Sequence, residues 1–314
     1  MRLNNKKVIK LEGDASERKF YRSKNSIIIF SKKNKKKNLL IYDAINRILN
    51  SGGINAPRLL KNNYKKNLIE VNDLGDITLL KLLKNRKNKK KIFIKVLDLL
   101  FKVQKIKKFY NKDFTGRKYK MVRYSKDKLL REAYLFIEWY LPRKLSKKKL
   151  NQFKKRFKNI FLRLSMAIKL PDDVFVHRDF HVSNIMLKQK KFHLIDSQDA
   201  VIGNPAYDLA SLIDDVRLKT SNNLKKEMFN HFSKKYFSRH LKKFENDFLI
   251  LSVLRNFKIL GIFSRLAKRD NKKIYLKYIP YTWSLIKLRT KNGKVFDELR
   301  LILNNNKFIQ DLIL

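Results

Sequence analysis

Hydrophobic positions alternate with polar ones in short stretches near the start of the chain, then recur every three or four residues over most of the remainder. The early stretches VIKLEG (8–13), RKFYRS (18–23) and SIIIFS (26–31) predict strands, because period-two patterning rich in β-branched and aromatic residues suits a half-buried sheet. Between 39 and 53, Leu40, Ala44, Ile45, Ile48 and Leu49 fall at helical spacing, and Gly52 and Gly53 supply a stop. PRLL (57–60) and NLIEV (67–71) predict two more strands. From Asp76 the period changes, and amphipathic helices are expected over 76–107, 123–141, 145–168, 205–218, 221–237, 243–268 and 275–288. One β patch, 174–196, interrupts them.

This order predicts an α+β protein of two lobes. A small β-rich N-terminal lobe would span residues 1–75, a larger mainly helical lobe 77–314, and EVNDLGD (70–76) would be the hinge between them. Clefts between such lobes commonly bind ligands.

Composition narrows the possibilities. The 314 residues are 44% hydrophobic with 22 Phe and 13 Tyr, enough to build cores and to exclude global disorder. Cysteine is absent, which removes disulfides and thiolate metal sites. The N-terminal stretch lacks the apolar run of a secretory signal, and no segment reaches the roughly 20 apolar residues of a membrane span, so a cytoplasmic protein is expected. Lys+Arg total 76 against 27 Asp+Glu, a net charge of +49 that would suit a nucleic-acid partner. Yet lysine is spread over the whole chain and travels with Asn and Ile, residues that share A/T-rich codons. No dedicated nucleic-acid site is therefore expected, although a basic binding protein remains an alternative.

The chemistry concentrates in VFVHRDFHVSNIMLKQKKFHLIDSQDA (174–200). His177-Arg178-Asp179 followed by Asn184 fits the kinase catalytic-loop pattern H-R-D-x-x-x-x-N. Phosphoryl transfer needs an Asp to accept the proton of the acceptor hydroxyl, and a nearby Asn can ligate the Mg²⁺ that bridges ATP phosphates. NIML and FHLI predict a hairpin through KQKK, which would return Asp196, twelve residues after Asn184, to its side as second metal ligand. Few, hard oxygen ligands suit Mg²⁺. Zinc on His177, Asp179 and His181 is the competing reading. His177 and Arg178 read as structural support of the loop rather than as reacting groups.

These segments resemble the aminoglycoside phosphotransferase superfamily of protein-kinase-like folds. Within it the chain is most similar to the bacterial anomeric amino-sugar kinases of cell-wall recycling, which act on N-acetylmuramate and N-acetylglucosamine. LEGDASERKFYR, EVNDLGD, LFIEWYL (135–141), HRDFHVSNIML, LIDSQDAVIGNPAYDLASLIDD and NFKILGIFSRLAKRDNKKIYLKYIP carry the likeness nearly end to end. The resemblance implies an ATP- and Mg²⁺-dependent kinase of an amino-sugar hydroxyl, with Asp179 as base and Asn184 and Asp196 as metal ligands. It places Gly13, Ala15 and Ser16 near the ATP phosphates and the backbone of Glu70, Val71 and Asn72 at adenine, and makes Asp208 a brace of the catalytic loop. Acceptor contacts would fall to Glu138, Trp139, Arg255 and Asn256. A cationic cleft would suit the lactyl carboxylate of N-acetylmuramate and disfavour cationic aminoglycosides. Choline, hydroxy-amino acid and antibiotic acceptors are the alternatives within the superfamily.

The chain also departs from protein kinases. Asp196 opens DSQD rather than D-F-G, and no A-P-E follows, which argues against protein substrates. The strand that should carry the phosphate-binding lysine reads IIIFSKK, with apolar residues where that lysine is expected; Lys32 or Lys33 could supply the cation.

Overall fold

The alternating stretches do form a sheet. A computed structural model describes residues 8–11, 18–84, 88–143 and 147–305. Strands β1 (Ile9–Leu11), β2 (Lys19–Ser23), β3 (Ser26–Phe30), β4 (Leu59–Asn63) and β5 (Leu68–Asn72) pair in the order β1-β2-β3-β5-β4. The β2–β3 register sets Phe20 opposite Ile29, and β3–β5 sets Ile29 opposite Ile69. Ile29, Ile69 and Val71 pack on Leu39 and Tyr42 of helix α1 (Lys37–Ser51). As expected, α1 stops at the glycine pair, where Gly53 takes φ +76°.

The helix expected over 76–107 is instead two, α2 (Leu79–Lys84) and α3 (Lys89–Gln104). Asn88 starts the second by accepting the Lys91 N–H (3.4 Å), the capping role that favours a break there. A hairpin of β6 (Tyr110–Lys112) and β7 (Lys118–Lys120) follows. Its strands are short and lysine-rich, so alternation gives no signal; it turns on Asp113, which accepts the Thr115 N–H (2.7 Å), and on Gly116 at φ +83°. Within the predicted β patch lie β8 (Val174–Val176), β9 (Ile185–Lys188) and β10 (Lys191–Leu194), and β11 (Val201–Gly203) pairs with β8.

Packing divides the chain into two compact units, Met1–Val122 with Asp173–Ile202, and Arg123–Asp172 with Gly203–Leu314. This is a different cut from a lobe boundary near residue 75: the first unit keeps the segment with the kinase-like motif.

The second unit is helical, with α4 (Lys126–Leu135), α5 (Lys147–Met166), α6 (Ala206–Ile213), α7 (Asn222–Tyr236), α8 (Leu241–Arg269), α9 (Ile279–Thr290) and an unforeseen α10 (Asp297–Asn305). Phe136–Tyr140 continue α4 as a π-helical turn, and α8 packs on that junction through Gly261. A Cβ at Gly261 would lie 2.2 Å from the Leu135 carbonyl carbon, so backbone approaches backbone there. Phe136 meets Phe257 (4.7 Å), Phe157 (4.9 Å) and Trp283 (5.9 Å) edge to face, and Trp283 donates to the Tyr140 hydroxyl (2.9 Å). Asp247 of α8 accepts the Lys169 and Leu170 N–H groups and the Asn204 amide, each at 2.8 Å, tying α8 to two loops of the same unit.

Candidate active site

The predicted hairpin forms in the expected register, with Ile185 opposite Leu194. Gln189 and Lys190 both take positive φ (48° and 61°), a two-residue turn whose twist matches that of the strands. One step beyond the ladder, the Ile195 N–H donates to the Asn184 carbonyl (3.0 Å). Asp196 is the next residue, so the hairpin returns it to Asn184. A second segment of the same unit grips the hairpin: Leu187 N–H donates to the Ile77 carbonyl (2.7 Å) and Leu80 N–H to Val182 (2.9 Å).

The loop before the hairpin is fixed through its backbone. His181 N–H (3.0 Å) and the Asn184 amide nitrogen (3.1 Å) both donate to the Asp179 carbonyl, leaving the Asp179 side chain half-buried. With its nitrogen so used, the Asn184 amide has its oxygen, a hard donor type, on the other side of the group. Arg178 sits at φ +71° and donates to the Asp199 carbonyl (3.1 Å). His177 is fully buried, and burial pushes its imidazole below the usual histidine range, against the pull of Asp179, Asp196 and Asp199. A neutral, enclosed ring is suited to holding the loop. Among the described residues no three His, Asp or Glu side chains converge as a metal cage, so the zinc reading of His177, Asp179 and His181 fails.

Asp196 also adopts left-handed backbone, φ 65° and ψ 37°, a conformation uncommon outside glycine that is retained where surrounding structure over-determines it. Its carboxylate forms an ion pair with Arg18, a residue the sequence did not single out. The Arg18 guanidinium lies 5.4 Å from the centre of the Phe20 ring and 5.3 Å from that of Tyr42. Burial pushes the Tyr42 phenol to about 12 despite Arg18. Ser197 donates to Asn46 (2.6 Å), one helical turn beyond Tyr42, so α1 touches both Arg18 and the residue after Asp196. Lys32 and Lys33, by contrast, are exposed.

At the expected hinge, Arg22 holds the linker. It meets Asp73 (2.6 Å), Asp76 (2.8 Å) and the Gly75 carbonyl (3.1 Å), and the Asp76 hydrogen bond raises its pKa further. Ser26 donates to Glu70 (2.5 Å), Val71 is buried, and Asn72 donates its N–H to the Arg58 carbonyl (3.1 Å) and accepts the Arg58 N–H (2.6 Å). The Asn72 amide is thus engaged within the sheet. Gly13, Ala15 and Ser16 lie outside the described residues.

Residues 7–240 match the phosphotransferase enzyme family. The chain belongs to that family. An N-acetylmuramate/N-acetylglucosamine kinase of Pseudomonas aeruginosa is 29% identical to this phosphotransferase over 283 residues, 87% of this chain and 80% of the relative. Among solved structures, a choline/ethanolamine kinase family protein from Mesorhizobium loti is similar with a TM-score of 0.63 at 12% identity, covering 95% of this chain and 92% of that one. The gentamicin–APH(2″)-IIa complex gives 0.62 at 13% identity over 89% and 93%. These neighbours bear out the kinase-like fold, and their names point to unlike small molecules, so the fold alone leaves the acceptor open.

The remaining predicted residues of the phosphotransferase lie in its second unit. Glu138 is exposed and Trp139 half-buried on the π-helical turn, while Phe136 and Tyr140 of the same turn enter the core. A π turn inserts a residue and re-aims the side chains that follow, and such turns frequently mark functional sites. Arg255 is 5% exposed on α8, and its buried Nη1 has no hydrogen-bond partner among the described residues. Asn256 is fully buried and donates to Ser252 (3.3 Å), which donates to Asp214 (2.6 Å); Asn256 thus joins a structural network. Asp208 is fully buried in the first turn of α6.

Proposed function

We propose that this phosphotransferase moves the γ-phosphate of ATP to a sugar hydroxyl, the anomeric hydroxyl of N-acetylmuramate or N-acetylglucosamine. The observation that carries the reading is the hairpin register, which sets Asp196 one residue past the Ile195–Asn184 bond while Asn184 itself bonds the Asp179 backbone. The relative of Pseudomonas aeruginosa that shares most of its length with this chain supports the sugar acceptor.

On this reading Asp179 takes the proton of the attacking hydroxyl, and its doubly bonded carbonyl keeps the carboxylate from swinging away. Asn184 and Asp196 would hold Mg²⁺: both offer hard oxygens, and the Asp196 side chain is 32% exposed, which fits an ion that keeps water and phosphate in its shell. When bound, the ion neutralises charge on the phosphoryl oxygens. Residues 1–75 would serve the nucleotide, with the hinge at 70–76 facing adenine, and 77–314 would serve catalysis and the acceptor. Arg255 suits an anionic acceptor group, because its buried Nη1 has no hydrogen-bond partner among the described residues and an anionic ligand would supply one.

ATP consumption measured across N-acetylmuramate, N-acetylglucosamine, glucosamine, choline, homoserine and kanamycin tests the substrate class. The acetylated amino sugars are expected to lead; equal or faster turnover of choline, homoserine or kanamycin refutes it. Asp179→Asn should keep the fold and nucleotide binding and lower kcat by roughly 100- to 10,000-fold. Sugar phosphorylation near the wild-type rate in that variant would sink the mechanism.

A further inference from the structure

Kinases of this general design need a cation from the N-terminal sheet at the nucleotide phosphates. Here β3 reads Ser-Ile-Ile-Ile-Phe and offers none, and Lys32 and Lys33 beyond it are exposed. Among the described residues, the more enclosed cation beside this sheet comes from the edge of the adjacent strand. Arg18, immediately before β2, has 8% of its side chain exposed, lies near two aromatic rings and reaches Asp196, 178 positions away in sequence. On α1, Tyr42 faces this guanidinium and Asn46 accepts from Ser197, while the acid of that helix, Asp43, pairs with Arg47 instead.

We propose that Arg18 is the phosphate-contacting cation of this enzyme, and that its ion pair with Asp196 is a placeholder, released when a divalent cation and nucleotide arrive together. The inference rests on the reading of Asp196 as part of the nucleotide–metal site. A divalent ion at Asp196 and a guanidinium at the same carboxylate repel one another, while the phosphates that arrive with the ion offer the guanidinium a new partner. A planar guanidinium can bind two phosphate oxygens at once, which a lysine cannot. The rings that flank it limit how far it travels. Arg18 also follows directly on EGDASE in the sequence, the stretch whose resemblance implies phosphate contact.

Calorimetric titration of MgATP and of adenosine into the full chain, without sugar, separates the possibilities. For Arg18→Met, MgATP binding should weaken about 10- to 100-fold, the loss expected for a charge-assisted hydrogen bond. Adenosine affinity should stay within about twofold, because no phosphate is present to lose. Arg18→Lys should recover part of the MgATP affinity and serves as the folded control. Mn²⁺ binding without nucleotide, followed by electron paramagnetic resonance, should tighten in Arg18→Met as Asp196 loses its resident cation. Equal loss of MgATP and adenosine, unchanged MgATP affinity, or Mn²⁺ binding that does not tighten overturns the proposal. If the wild type binds adenosine but gains nothing from phosphates and metal, the reading of the Asp196 site falls as well. Wild-type MgATP binding with an indifferent Arg18→Met refutes Arg18 alone.

Discussion

Asp214 accepts two hydrogen bonds from Arg289 (both 2.8 Å) and one from Ser252 (2.6 Å), lies 3.7 Å from Lys225, and exposes none of its side chain. Among the described residues, Asp196 meets one guanidinium, that of Arg18, and leaves 32% of its side chain exposed. Both are aspartates beside arginines, yet the first has its acceptor capacity filled and the second keeps some in reserve. Burial alone would push Asp214 up, but Arg289, Lys225 and Ser252 outweigh it and hold the carboxyl below its usual range. A saturated acid of this kind is a structural joint between α8, α9 and the end of α6. An under-coordinated acid on left-handed backbone is one that can change partners.

The contrast fails or sharpens under substitution. Arg289→Met should have the largest effect, about 3–5 kcal/mol of lost stability in urea unfolding followed by circular dichroism, because it strands a buried charge. Asp214 adds an acid limb to this. Its folded pKa lies below the unfolded one, so its contribution is complete above the unfolded carboxyl range, near pH 4, and is lost as pH falls through the depressed value. The stability gap between wild type and Asp214→Asn should therefore narrow below about pH 4. Arg18→Met should cost only about 1 kcal/mol, as expected of a partly exposed pair with aromatic contacts. A loss as large as that of Arg289→Met would erase the distinction. The smallest effect belongs to the hairpin turn: replacing Gln189 by Asn and Lys190 by Gly should add up to about 1 kcal/mol without changing kcat, since both positions have positive φ.

Local spacing made the β9–β10 hairpin legible. Asp179, Asn184 and Asp196 stand within eighteen positions of one another, and strand period plus a turn decides how such a segment folds. α1 and the helices of the second unit were legible for the same reason. Arg18 was not: one cation among 76 gives no contrast, and its role comes from contact with an acid 178 positions away. The nearest signal was the strand period itself, which sets Arg18, just before β2, on the side of Phe20 and Arg22 and so marks two partly buried arginines among exposed lysines. The π turn was hidden because LFIEWYL is apolar enough to suit an ordinary helix. The hydrogen bond from Asn256 to Ser252, which in turn bonds Asp214, is visible only in three dimensions.

The aromatic cluster of the second unit has a practical side. Trp283 sits fully enclosed among Phe136, Phe257 and Tyr140, Trp139 lies on the neighbouring turn, and the chain contains two tryptophans in all. Intrinsic tryptophan fluorescence is therefore a signal from that unit alone, whereas far-ultraviolet dichroism sums both. Coincident melting curves from the two optical probes would mean that the units unfold as one cooperative body, and separated curves would assign the first transition to one of them without any label.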